Sequence, residues 1–547
     1  MKGLVGIMAC KISVMLAVLF VAGSSLFAQE SKETMVYLLH SDQISMDQDV
    51  NKEAHILQGN VVFRHDSMYM YCDSALFYQR ANSFNAYKNV HIEQGDTLFM
   101  FGDSLYYDGT TRLARVRDNV RLENRDMILL TDSLNYDRNQ SLGYFFEGGT
   151  LLDVNNTLTS EYGQYNTGLG VAVFMDSVHL DNDDYILRTD TLTYNVDLHT
   201  ASFTCPTVIT SDDNIINTSR GWFNTDENSS VLLDRSVIEH EGGNQRMTGD
   251  SIIYNDDSGQ MWGFGDVVIN NYSDNIDVLG DYVFYDSKID SAVVSGRAQA
   301  IEYSMKDSLF IHADTFKIRT IYGENDTILN RQMKAYNHVK GYRVDVQMVC
   351  DSLEFETKDS CMTMYHDPVL WSGNQQILGE VIKAYMNDST IDWAHIIGQA
   401  LSVEMVNADT TMFNQISGRE MKAYFKNGEI DRASVNGNVR IVYYPYDSDS
   451  LLIGMNTTEA SSMLAYFEGR RVTKIISYEK SNGVLYPMCQ APANKRRLDN
   501  FVWLELLRPF SRYDIFYWRG KQASEKLKES TSNRNVPLPT LPPVPNQ

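Results

Sequence analysis

The sequence predicts an elongated all-β repeat solenoid of about fourteen units, each roughly thirty residues long. Three observations carry this. A short phrase, small residue then Asp-Ser/Thr-apolar, recurs along the chain. A second phrase, polar-apolar-x-apolar, falls between its copies. The composition, with 32 Tyr and 11 Pro, five of them in the last 11 residues, suits strands joined by polar turns. Hydrophobic residues make up 43% of the 547, enough to build a core.

The first phrase reads Cys72-Asp73-Ser74-Ala75-Leu76-Phe77, Gly102-Asp103-Ser104-Leu105-Tyr106-Tyr107 and Thr131-Asp132-Ser133-Leu134-Asn135-Tyr136, at spacings of 30 and 29 residues. It returns at Asp190, Asp250, Asp281, Asp314 and Asp351, and later units stretch to nearly forty residues. Its Asp-Ser/Thr reads as a turn that caps backbone N–H groups. The second phrase reads Gly59-Asn60-Val61-Val62-Phe63, Lys88-Asn89-Val90-His91-Ile92 and Asp118-Asn119-Val120-Arg121-Leu122. Apolar and polar positions alternate there, the pattern of a strand with one face inward. The Gly-Asn and Asp-Asn pairs before it tolerate the backbone angles of turns.

Two or three short strands cannot bury an apolar face alone. Stacked on a neighbour, each unit passes its backbone hydrogen bonds onward and closes a continuous core. Equivalent positions then form columns, with Val61, Phe63, Val90, Ile92, Val120, Leu122, Leu134, Tyr136, Leu192 and Tyr194 facing inside.

The first 28 residues carry Lys2 and Lys11, the apolar run Ile12 to Ala22, and small residues up to Ala28, the order of a cleaved secretory signal peptide. A single membrane anchor is the alternative, for which the run is short. No later stretch is long and apolar enough to cross a bilayer as a helix. Cys72, Cys205, Cys350, Cys361 and Cys489 remain after processing, an odd number at scattered spacings, so free buried thiols are expected rather than a disulfide framework.

The 47 Lys and Arg against 71 Asp and Glu leave a net charge of −24, which argues against nucleic acid as a partner. Dispersed histidines, and the absence of zinc, phosphate-loop or nucleophile motifs, leave no catalytic residue, metal or cofactor to name. The acidic pairs Asp183-Asp184, Asp212-Asp213 and Asp256-Asp257 suit solvated turns better than a catalytic pair.

Taken together, Asp42-Gln43-Ile44-Ser45-Met46-Asp47, then Leu57-Gln58-Gly59-Asn60-Val61-Val62-Phe63, then Met70-Tyr71-Cys72-Asp73-Ser74, behind a signal peptide, resembles the OstA-like family. Its members are periplasmic lipopolysaccharide-transport proteins and the N-terminal domains of the outer-membrane lipopolysaccharide assembly protein. The phrase recurs over most of residues 36–480. The resemblance implies a β-jellyroll whose two sheets hold acyl chains in an apolar groove, so the ten inward residues become candidate lipid contacts. It also implies lipopolysaccharide or a lipid A-type glycolipid as ligand, edge-strand pairing with other lipopolysaccharide-transport proteins, and a periplasmic place, associated with the outer membrane. The array is longer than the usual bridge protein, and the chain after it is too short for the outer-membrane barrel.

The chain thus divides into a signal peptide (1–28), the OstA-like array (29–480), a C-terminal cap or docking segment (481–521) and an extended Pro-rich tail (522–547). The last-but-one segment combines Lys495-Arg496-Arg497 with Phe501, Trp503, Phe510, Tyr513, Phe516, Tyr517 and Trp518. From residue 490 onward ten Lys/Arg oppose five Asp/Glu, a net +5 that leaves −29 for the rest. A non-enzymatic lipid conduit is the leading function. A structural or adhesive exported rod is the alternative, and a polysaccharide-active β-helix fits less well because no unit breaks the repeat.

Overall fold

The computed structural model describes residues 35–46, 53–211, 214–240, 242–304, 307–323, 328–387, 390–406, 411–426, 429–447, 451–469 and 471–519. The signal peptide, the Pro-rich tail and Asp212-Asp213 lie outside the described residues. The chain forms two compact units, residues 1–174 and 175–547. Both are all-β jellyroll arrays of antiparallel strands, with no α-helix among the described residues.

In the first unit six strands follow one another: His55–His65, Met68–Tyr78, Ser83–Gln94, Leu98–Asp108, Leu113–Asn124 and Met127–Asp137. Each pairs antiparallel with the next, and in every pairing the register slips at mid-strand, as between Gln58 and Val61 or Phe101 and Ser104. The slip comes from Gly59-Asn60, Lys88-Asn89 and Asp118-Asn119, all with positive φ, between 45° and 78°. Two left-handed residues against fewer on the neighbour make a bulge, which bends the strand. At Gly59 (φ +78°) a Cβ would also stand 2.3 Å from Asp42 Oδ2, so glycine is required there.

Every strand is thereby split into two arms, and the arms assemble into two half-sheets that face each other. Phe63 on the first half-sheet stacks at 4.0 Å on Phe84 of the second. One thirty-residue repeat is therefore a hairpin of two bent strands.

The expected role of the Asp-Ser/Thr phrase needs correction. Asp73 and Asp103 do not cap turns; they sit exposed at mid-strand beside the bend. There Asp73 accepts from Asn89 Nδ2 at 2.8 Å and Asp103 from Asn119 Nδ2 at 2.6 Å. The hairpin turns are capped by other carboxylates, such as Asp108, which accepts from the Thr110 N–H at 2.9 Å. Local sequence cannot separate the two cases, because a mid-strand bulge and a hairpin use the same left-handed residues.

The second unit repeats the plan. Its bends lie at Asp234-Arg235, Gly265-Asp266, Gly296-Arg297, Asn337-His338, Gly398-Gln399 and Gly437-Asn438. Its long strands include Gln245–Asn255, Gln260–Asn271, Ile276–Asp286, Val346–Glu356, Thr390–Met405, Phe413–Lys426, Glu429–Tyr443 and Met455–Glu468.

Residues 488–519 form an irregular strap that runs back over the outer face of the first half-sheet of this unit. A cross-strand row, Gln347, Trp371, Gln376, Val403, Gln415, Val442, lies beneath it. Gln415 Nε2 donates to the Arg496 carbonyl at 2.8 Å, and its Oε1 accepts from the Leu498 N–H at 2.8 Å. Gln376 does the same with the Val502 carbonyl (2.9 Å) and the Leu504 N–H (2.7 Å). The buried Lys340 ammonium donates to the carbonyls of Asp514 (3.1 Å) and Tyr517 (2.7 Å). Leu504 and Leu507 complete a core with Val349, Val369, Trp371, Leu378, Leu401, Val403 and Phe413. Paired polar anchors let an irregular segment be buried without stranding its backbone groups. The segment expected as a cap or a docking element is thus placed alongside many strands rather than over the last one.

Candidate functional site

The space between facing half-sheets is where this fold collects apolar side chains, and it differs along the chain. In the first unit it is full. Val61, Phe63, Val90, Ile92, Val120, Leu122, Leu134 and Tyr136 are all buried in it. One column on the second half-sheet reads Phe77, Phe84, Tyr107, Ala114, Tyr136, so rings fill most of the gap. The mouth opposite the bends is clasped. His65 Nδ1 lies 2.6 Å from Tyr107 Oη, and Asp66 receives Arg112 at 3.1 Å and Arg138 at 3.2 Å.

Leu192 and Tyr194, in the second unit, are buried too, near a tilted contact of 4.3 Å between Tyr185 and Phe223. Farther along, a pair of the clasp type joins Asp274 to Arg331. The column equivalent to Phe77–Tyr136 runs here through Tyr194, Ala201, Phe223, Ser230, Tyr254, Met261 and Tyr285 and then changes character. From Met362 onward five strands in succession contribute Ala384, Ala394, Ala423, Ala433 and Ala465, each paired with the next.

An alanine in place of a ring leaves room. Ala394, Ala423 and Ala433 are half-buried, although the row behind them, Ile382, Ile396, Met421, Val435 and Met463, is buried. Facing them on the first half-sheet, Leu370, Ile377, Ser402, Ile416 and Thr458 are also half-buried, while Ile441 between the last two is buried. On that half-sheet the outer face, under the strap, is better buried than the inner one. The inner face therefore lines an open cleft.

The cleft is graded. Its floor is aliphatic, and Met386, Phe425 and Phe467 stand half-exposed at one lip. The other lip is polar: Gln375 donates to Ser402 at 2.9 Å, Asn414 donates to Glu404 at 3.0 Å, and Thr458 donates to Asn456 at 2.7 Å. Burial, and then the Glu404 charge, push the Tyr443 phenol above its ordinary range, so this lip presents a neutral hydroxyl beside a carboxylate. An apolar trough with a hydrogen-bonding rim suits an amphiphile whose head stays in water.

Sequence reasoning missed this stretch. Lys-Ala-Tyr recurs at 383–385 and 422–424 but also at 334–336, outside the alanine row, so no local phrase singles the stretch out. The acidic pairs Asp183-Asp184 and Asp256-Asp257 lie exposed in turns. Among the described residues no cluster of His, Cys, Asp or Glu is placed to hold a metal ion, and no helix is long and apolar enough to cross a membrane.

Two bent half-sheets around an apolar interior define a β-jellyroll. The profile of the family described as OstA-like protein matches residues 33–190 and 206–308, and the chain belongs to that family. No curated protein matches it. Membership points to a role related to lipopolysaccharide transport, to a binding rather than an enzymatic activity, and to the cell envelope.

Proposed function

We propose that the chain is a periplasmic lipopolysaccharide-binding and transport protein, which holds the acyl chains of a lipid A-type glycolipid in the alanine-walled cleft and bridges toward the outer membrane. The run of five inward alanines, of which the middle three are half-buried, carries this reading. At ~0.8 kcal/mol per buried CH₂, a few acyl chains supply ample affinity. The polar lip at Glu404 and Asn414 would meet the sugar head. The ten inward residues Val61 to Tyr194 lie on the equivalent face and would touch lipid only where the clasps part.

Edge strands support assembly with other lipopolysaccharide-transport proteins. Tyr37–His40 and Gln43–Ser45 pair with His55–His65, and Arg471–Tyr478 and Asn482–Tyr486 pair with Met455–Glu468. Among the described residues their other edges carry no strand, which suits β-augmentation.

Mass spectrometry of lipid retained by the mature chain, purified without detergent, tests the proposal. Stoichiometric glycolipid, crosslinking to a photoreactive residue at position 423, supports it. A folded chain that carries no lipid and takes up no added lipopolysaccharide sinks it. The filled interior of residues 35–174 favours the second reading, an exported structural or adhesive β-solenoid with no lipid ligand.

A further inference from the structure

We infer that residues 506–519 of the strap dock the protein on an anionic lipid membrane surface, a role independent of what the cleft binds.

The strap is held from beneath and apolar above. Leu507 and Ile515 are buried, and Lys340 fixes the carbonyls of Asp514 and Tyr517. On the opposite side Leu506 is 82% exposed, Phe510 62%, Tyr513 64% and Tyr517 68%, with Phe516 and Trp518 beside them. So many large apolar groups within one short segment are not a random scatter of exposed residues.

Cations are interleaved with the rings. The Arg512 guanidinium lies 4.8 Å from the Tyr513 ring centroid, and Arg519 lies 5.9 Å from that of Phe510. Tyr, Trp and Phe with flanking Arg are the side chains that settle at a bilayer interface, rings among the headgroups and guanidinium groups at the phosphates.

Charge selects the occupant. The chain carries −29 over residues 1–489 and +5 beyond. An anionic surface repels most of the protein and attracts this end, so it fixes the orientation as well as the contact. Because the backbone here is already ordered by its anchors, little ordering entropy is left to oppose binding.

Flotation of the full mature chain with phosphatidylcholine vesicles, with and without phosphatidylglycerol, tests the inference. The chain should float with the anionic vesicles and sink with the zwitterionic ones, and added salt should reverse the binding. The triple variant Phe510→Ser, Tyr513→Ser, Tyr517→Ser should bind at least about tenfold more weakly. The three side chains are mostly exposed, so its unfolding transition should match the parent's. On vesicle addition, Trp518 emission should shift to the blue and be quenched by brominated lipid.

Equal flotation of parent and triple variant overturns the inference, as does equal binding to both kinds of vesicle. A chain that strips lipid into its cleft but stays at the bottom of the gradient also overturns it, while leaving the cleft reading intact. Self-association lost in the triple variant, without flotation of the parent, would assign the surface to a second copy instead.

Discussion

The His65 imidazole and the Tyr107 phenol meet at 2.6 Å across the interior of the first unit, each buried and each on a different half-sheet. Burial pushes the Tyr107 phenol up to about 12, with Arg138 pulling it back only in part, so it keeps its proton at any physiological pH. Replacing Tyr107 by Phe keeps the ring and removes this bond. Loss of about 1–3 kcal/mol is expected. Urea unfolding of the full chain should show it as a lower midpoint for the first transition, and an unchanged midpoint would deny the bond a structural part.

Arg138 ties the same mouth shut, donating to the His65 carbonyl at 3.1 Å and to Asp66 at 3.2 Å. Its replacement by Ala should loosen the clasp without unfolding the bends. Hydrogen exchange should rise at residues near 65–68 and 107–113 and stay flat at 86–90. Uniform acceleration over all these strands would mean that the clasp and the core are one cooperative body.

Thiol chemistry should be ordered by burial. Cys489 is exposed, whereas Cys72, Cys350 and Cys361 are buried. Burial lifts the Cys72 thiol to about 12, which starves it of thiolate. In the native protein a maleimide or Ellman reagent should label Cys489 first and Cys72 only after denaturant. Prompt labelling of Cys72 would contradict the closed interior of the first unit.

The strap should loosen in acid. Burial alone would raise the Asp514 carboxyl, but bonds from Arg519 (2.9 and 2.5 Å) and the Phe510 N–H (3.1 Å), with the Lys340 charge, hold it below the ordinary range. A carboxylate lowered on folding contributes stability above its unfolded value and loses it as pH falls through the folded one. Trp503 and Trp518 emission should therefore be constant at neutral pH and shift red only below the usual aspartate range. Asp514→Asn should shift the emission at neutral pH already, and an acid-insensitive parent would count against the linkage.

Much of the repeat was legible. Asp73 and Asp103 mark alternate bent strands, and Val61, Val90 and Val120 face inward, because period-two alternation survives the bend. The bend itself was misread as a turn, since Gly59-Asn60 and Asp118-Asn119 use the same left-handed chemistry at mid-strand that hairpins use at strand ends. The alanine wall was not legible. Ala384, Ala394, Ala423, Ala433 and Ala465 form one column only through the pairing of strands whose hairpins differ in length. The strap was hidden for a related reason. Gln376 finds Val502 and Leu504 more than a hundred residues away, and no local pattern announces such a partner.

Almost every strand in the array pairs with one close by in sequence, so the fold can grow hairpin by hairpin as the chain lengthens. The strap is the exception. The bond from Lys340 to Tyr517 spans 177 residues and waits for nearly the last of the chain. Until then Trp371, Leu378 and Val403 present a bare apolar sheet face to chaperones and proteases. Laying the strap down marks a molecule as finished, and a chain cut short before Leu504 would keep that face uncovered and be cleared.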